Sequence, residues 1–118
     1  IAGEPFDYEF FIRGKVYCFD AKETKTASDK WPFIMSGTRG IKTNQRLRRQ
    51  ALNLSACKHN GAVAFFLVAF TNYKVNSLFK LYMYDPDLVL QAMESKQKSL
   101  SVELASPFDI DTIINGCK

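Results

Sequence analysis

Asp7, Asp20 and Lys22 are the residues whose types and spacing point most directly to chemistry. Arg13-Gly14 lies midway between the two aspartates, inside a stretch dominated by aromatic and β-branched residues. Asp7 to Lys22 is therefore expected to form two strands joined by a tight turn. With Arg13 and Gly14 as the central turn residues, Ile12 faces Lys15 and the numbers of every facing pair sum to 27. Asp7 then stands opposite Asp20. Because side chains alternate along a strand, Asp20 and Lys22 share a face with Asp7, Glu9, Phe11, Val16 and Cys18. The other face, with Tyr8, Phe10, Ile12, Tyr17, Phe19 and Ala21, is almost wholly apolar.

Two carboxylates facing each other across a sheet repel unless something positive lies between them, and a divalent ion bound by both is the economical solution. Carboxylate oxygens with a nearby backbone carbonyl suit Mg²⁺ or Mn²⁺, and a partial protein ligand set leaves positions open for water. A lysine beside the ion can orient or deprotonate the attacking water and offset charge on a phosphorane-like transition state. The constellation fits hydrolysis of a phosphodiester. Solvated acids on the polar face of an edge hairpin satisfy the same spacing, and a bulge at Gly14 would shift the register. Spacing by itself does not decide between these readings.

The rest of the chain must position that hairpin. From Glu23 to Lys42 the sequence is polar, with Gly37 and Gly40, and is expected to form a long loop. Thr43 or Asn44 is expected to cap a helix running to about Lys58, with Leu47, Ala51, Leu54 and Leu52 facing inward. Asn60-Gly61 ends it. Ala62 to Phe70 is apolar on both faces, as a central strand covered by helices would be. Leu78 to Tyr84 is expected as a further strand, and Asp85-Pro86 as the start of a helix through about Glu94. Val102 to Leu104 is expected as a short strand and Asp109 to Ile114 as a final helical turn or two. The order β-β-loop-α-β-β-α implies an α/β fold, a mixed central β-sheet with flanking helices. With 118 residues and no internal repeat or linker, the chain reads as one domain over residues 1–118.

Composition excludes several classes. The longest apolar run, Ala62 to Phe70, is strand-sized, well short of the roughly 18 to 20 residues that span a bilayer, so no membrane role is expected. Cys18, Cys57 and Cys117 form no Cys-x-x-Cys pair, which argues against a zinc site or disulfide framework and for idle thiols in a reducing compartment. No G-x-x-x-x-G-K-[ST] loop is present, so no nucleotide cofactor is expected. The net charge of +4 says little alone, but Lys30, Arg39, Lys42, Arg46, Arg48 and Arg49 cluster in one third of the chain. They read either as a phosphate-contacting patch or as a solvated helix face. Trp31 and Phe33 read as core-closing aromatics or as a wedge against DNA. A cation near a helix C-terminus suffices to explain His59.

Pro5-Phe6-Asp7 resembles the Pro-Asp motif of the PD-(D/E)XK nuclease superfamily with one residue inserted, and Asp20-Ala21-Lys22 matches (Asp/Glu)-x-Lys. Within that superfamily the likeness is greatest to RecU-type Holliday junction resolvases and their phage relatives. The "FDAKET" strand exit, the Trp31-Pro32-Phe33 loop, the Gln-bearing helix, the strand after Asn60-Gly61 and "LYMYDPDLVL" continue it to about residue 93. The resemblance implies a restriction-endonuclease-like core and a Mg²⁺- or Mn²⁺-dependent endodeoxyribonuclease acting on branched DNA in recombination and repair. It implies a homodimer working in the cytoplasm of a bacterial or phage-infected cell. Asp7, Asp20 and the Ala21 carbonyl would be metal ligands and Lys22 the catalytic lysine. A Gln on the helix would approach the site, and Gln50 fits the spacing to Gly61 better than Gln45. The family's leading helix, which often bears a further Glu, is expected to lie outside this sequence, with Glu4, Glu9 or Glu23 as substitutes. A phage or mobile-element nuclease for flaps, ends or duplex DNA, and an inactive nucleic-acid-binding module of the same fold, are the alternatives.

Overall fold

Arg13 and Gly14 both adopt positive φ, +50° and +83°, the combination that a two-residue type I′ turn requires. They join β1 (Tyr8–Ile12) to β2 (Lys15–Thr24) in a computed structural model that describes residues 8–33, 37–72 and 80–108, with only the backbone of 37–39. The antiparallel pairing runs from Ile12↔Lys15 to Tyr8↔Phe19, the register expected from the turn. Arg13 is strained at +50° because a Cβ crowds the following carbonyl there. Arg13→Asn is therefore expected to stabilise the protein by about 0.5–1 kcal/mol. Gly14→Ala meets open space, so its expected loss of about 1 kcal/mol is a backbone effect alone. Urea midpoints of the two variants check both signs.

β2 is the scaffold of the site. It pairs in parallel with β4 (Val63–Phe70), setting Asp20 beside Phe66 and Lys22 beside Val68. Parallel neighbours need a long crossover, and α1 (Gly37–His59) supplies it. β5 (Lys80–Tyr84) runs antiparallel to β4, and β7 (Ser106–Pro107) antiparallel to β5. Among the described residues this gives a mixed sheet in the order β1-β2-β4-β5-β7. A second, small sheet joins β3 (Lys30–Pro32) to β6 (Ser99–Ser101). α2 (Pro86–Glu94) begins as its sequence requires, with Asp85 as cap and Pro86 in the first turn.

One face of the sheet packs on both helices. Ala64, Phe66, Val68 and Phe70 of β4 join Leu47, Ala51 and Leu54 of α1 and Val89 and Ala92 of α2 in a single cluster. Trp31 and Phe33, each 4% exposed, close this core, so neither is a wedge for DNA. On the opposite face, Phe10 stacks on Tyr17 at 4.8 Å, Tyr8 on Phe19 at 5.0 Å and Phe19 on Phe65 at 5.3 Å. Such pairs contribute roughly 0.5–1.5 kcal/mol each beyond their burial. The two-sided apolarity of β4 thus reflects helices on one face and stacked rings on the other, not the helices on both faces that its sequence led us to expect.

Several local expectations are corrected. α1 starts at Gly37, not at Thr43 or Asn44, so Arg39 and Lys42 ride on the helix; Gly37 and Gly40 masked a turn that tertiary packing imposes, with Gly40 buried. The expected loop of residues 23–42 also contains the end of β2 and all of β3. Leu52 is half-exposed at 50% because it falls off the Leu47–Ala51–Leu54 stripe. Val102–Leu104 is a 3₁₀ turn rather than a strand, since Ser101 caps it by accepting from the Glu103 N–H at 3.2 Å. Asp7 and Asp109 to Ile114 lie outside the described residues.

The two helices are clamped where α1 ends and α2 begins. Lys58 Nζ donates to Asp85 Oδ1 and Oδ2 at 3.0 Å and to Asp87 Oδ2 at 3.1 Å. Ser55 Oγ donates to Asp87 Oδ1, and His59 Nε2 lies 3.3 Å from Asp87 Oδ2. The Ser55 hydrogen bond, then Lys58, holds the Asp87 carboxyl below its ordinary value of 3.8, against the opposing effect of burial. A carboxyl depressed in the folded state stabilises fully above the unfolded value and loses that contribution as pH falls through the folded one. Thermal midpoints are therefore expected to fall below about pH 4. Ser55→Ala, by bringing the two values together, is expected to flatten that acid limb.

Candidate active site

Asp20 and Lys22 project from the face of β2 that meets α1, as alternation requires. Asp20 is fully buried, at 0% exposure, and Lys22 is half-buried. Lys22 Nζ donates to Gln50 Oε1 at 2.7 Å, tying the strand to the helix across 28 positions of sequence. Gln50 sits on the same side of α1 as the inward stripe, whereas Gln45 is exposed. Lys22 and Gln50 also line a cleft of about 210 Å³ with Arg46, Trp31 and Phe33.

Glu23, next along β2, points to the other face and accepts from Thr71 Oγ1 at 2.9 Å. Glu9 is exposed on β1 opposite Cys18, so it lies on the Asp20 face one pair away. Cys18 is buried, and burial, then the adjacent Cys57 thiol, pushes its pKa up to about 12. It acts as a small apolar side chain beneath the site.

Lys42, Arg46, Arg48 and Arg49 are all exposed on α1, where Lys42, Arg46 and Arg49 fall within about 60° of one another around the axis and Arg48 points away; Lys30 is exposed at the start of β3. At 3.6 residues per turn, Arg46 lies about 40° from Gln50 around the helix axis and Arg48 about 160°. The Arg39 side chain lies outside the described residues.

A metal ion was expected at the hairpin. Among the described residues no three His, Cys, Asp or Glu side chains come together as a metal site. The donors that the strand offers, the Asp20 carboxylate and the Ala21 carbonyl, are hard oxygens. They fit Mg²⁺ or Mn²⁺ in kind and would suit zinc or copper poorly.

The sequence matches the family described as Recombination protein U (RecU) over residues 4–111. The chain belongs to the RecU family. RecU membership accounts for the mixed sheet with its restriction-endonuclease-like core and brings with it the DNA-binding nuclease chemistry of Holliday junction resolvases. It also covers both halves of the site, the β2 hairpin and the Gln50 helix, within one matched span. No curated protein matches the sequence. Among the described residues no helix is long and apolar enough to cross a membrane.

The short list Asp20, Lys22 and Gln50 follows from sequence pattern and resemblance. The spacing arguments did not find the cleft in front of them. Its walls come from β2, β3 and α1, and β3 carries no strand signal of its own, because it is three residues long and ends in Pro32.

Proposed function

We propose that this chain is a divalent-metal-dependent endodeoxyribonuclease that hydrolyses phosphodiesters in branched DNA, acting as a homodimer in the cytoplasm. The observation that carries the reading is Lys22 Nζ held 2.7 Å from Gln50 Oε1 beside the buried Asp20, in a member of the RecU family. Asp7, Asp20 and the Ala21 carbonyl would hold the ion. The β1–β2 pairs, which sum to 27 as far as Tyr8↔Phe19, support a place for Asp7 opposite Asp20 at the next step.

When bound, Mg²⁺ or Mn²⁺ supplies Lewis-acid polarisation of the scissile phosphate and a site for water activation. The chain's own residues do the rest. Gln50 fixes the Lys22 side chain so that its remaining ammonium protons face the cleft rather than sampling rotamers. The Lys22 charge then offsets the negative charge that builds on the phosphoryl oxygens in the transition state. Lys30, Arg39, Lys42, Arg46, Arg48 and Arg49 neutralise backbone phosphates, which makes binding salt-dependent. A two-fold pair of such sites is suited to nicking two strands of a junction symmetrically.

Incubation with a four-way junction, a flap and linear duplex, each with Mg²⁺ and with EDTA, tests this. Paired nicks near the junction centre, lost in EDTA, are the expected result. Cuts confined to flaps or duplex would replace the junction by the simpler substrate. Tight junction binding without cleavage would sink the nuclease reading and leave a DNA-binding module.

A further inference from the structure

We infer that the cleft between β2, β3 and α1 is a phosphate subsite in which Arg46 grips a backbone phosphate next to the one facing Lys22. The inference rests on the nuclease reading for the identity of the substrate, but the subsite itself is argued from the cleft.

The cleft holds about 210 Å³, enough for a phosphate and several waters at about 30 Å³ each. Two cations line it, Lys22 and Arg46. Lys22 makes a hydrogen bond to the neutral Gln50 and no ion pair with a described residue, and Arg46 likewise has no ion pair among the described residues. The one acid in the lining, Glu23, is engaged by Thr71 on the far face of the sheet. With two cations and one acid, the lining carries a net charge of about +1. The buried rings of Trp31 and Phe33 form an apolar wall of the cleft, which lowers the local dielectric and strengthens the attraction of the two cations for an anion.

Among the described residues, Arg46 is the cation of α1 that lines the cleft. It is four residues, one helical turn, from Gln50, so its side chain rises from the same side of the helix as the residue that positions Lys22. A guanidinium offers a planar fork that grips phosphate through two parallel hydrogen bonds, which an ammonium cannot. Arg46 thus fixes the register of the DNA strand in the site, while cations elsewhere on the helix add affinity without that constraint.

Trp31 is the only tryptophan of the chain and lines this cleft, so its emission reports occupancy without any reaction. The test is a fluorescence titration of the full chain with a 5′-phosphorylated thymidine dinucleotide in EDTA, where hydrolysis cannot occur. Wild type is expected to give a saturable change. Arg46→Ala should raise the Kd at least tenfold, and Arg46→Lys should restore only part of it. Lys15→Ala removes the same charge at the opposite end of β2 and should change Kd less than twofold. Circular dichroism melts confirm that the variants, altered at exposed positions, are folded. A silent Trp31, or equal shifts in Arg46→Ala and Lys15→Ala, would overturn the subsite even if the protein cuts junctions. An Arg46-dependent titration in a protein that cuts no DNA would uphold the subsite and reject the nuclease reading.

Discussion

Lys22→Met is expected to lower single-turnover cleavage of a junction by a factor of about 10³ while leaving junction affinity within a few fold. Removing one preorganised positive group aimed at developing charge typically costs 10²–10³ in rate, and the half-buried setting of Lys22 places it toward the upper end. Ground-state binding should change little because the proposed contacts to the DNA backbone involve several other cations. The 2.7 Å bond to Gln50 Oε1 adds a sharper expectation. If Gln50 works through Lys22, Gln50→Ala alone slows cleavage about ten- to a hundredfold, yet adds nothing to Lys22→Met. Rates that multiply in the double variant would give Gln50 a role of its own, such as a direct contact to the ion. The fold should survive each change, since a single neutral-acceptor hydrogen bond contributes only about 0.5–1.5 kcal/mol.

The hairpin was legible in the sequence because its geometry is local. A two-residue turn at Arg13-Gly14 permits one register, and strand alternation then assigns every side chain of β1 and β2 to a face. The α1 stripe of Leu47, Ala51 and Leu54 was legible for a similar reason, as was the Asp85-Pro86 start of α2. What was not legible depends on contacts distant in sequence. β3 exists because Lys30, Trp31 and Pro32 find Ser101, Leu100 and Ser99 about 70 positions away, a pairing that no local pattern announces. The first turn of α1 holds Gly37 and Gly40, whose weak intrinsic helicity is overridden by packing. The same limit applies to function. A run of cations in one third of the chain read either as a phosphate patch or as a solvated helix face; wound on the helix, Lys42, Arg46 and Arg49 share a side, Arg46 reaches the cleft and Arg48 points away.

Asp20→Asn is expected to abolish cleavage and, separately, to abolish stabilisation by Mg²⁺. Asp20 is fully buried in the face of β2 that meets α1, and an ionised carboxylate there is costly unless positive charge compensates it. The proposed divalent ion would supply such compensation and would bind the folded state alone. The wild-type thermal midpoint should therefore rise with Mg²⁺, by an amount equivalent to about 2.7 kcal/mol at a concentration 100 times the Kd. The amide of Asn keeps the shape but not the charge, so in EDTA the variant should melt within a few degrees of wild type and Mg²⁺ should leave it unmoved. This pattern separates a ligand from a structural acid. A purely structural Asp20 would make Asp20→Asn unstable in EDTA and leave any Mg²⁺ shift intact. A Mg²⁺ shift that persists in the variant would move the ion elsewhere in the molecule, and with it the reason for pairing Asp20 with Lys22.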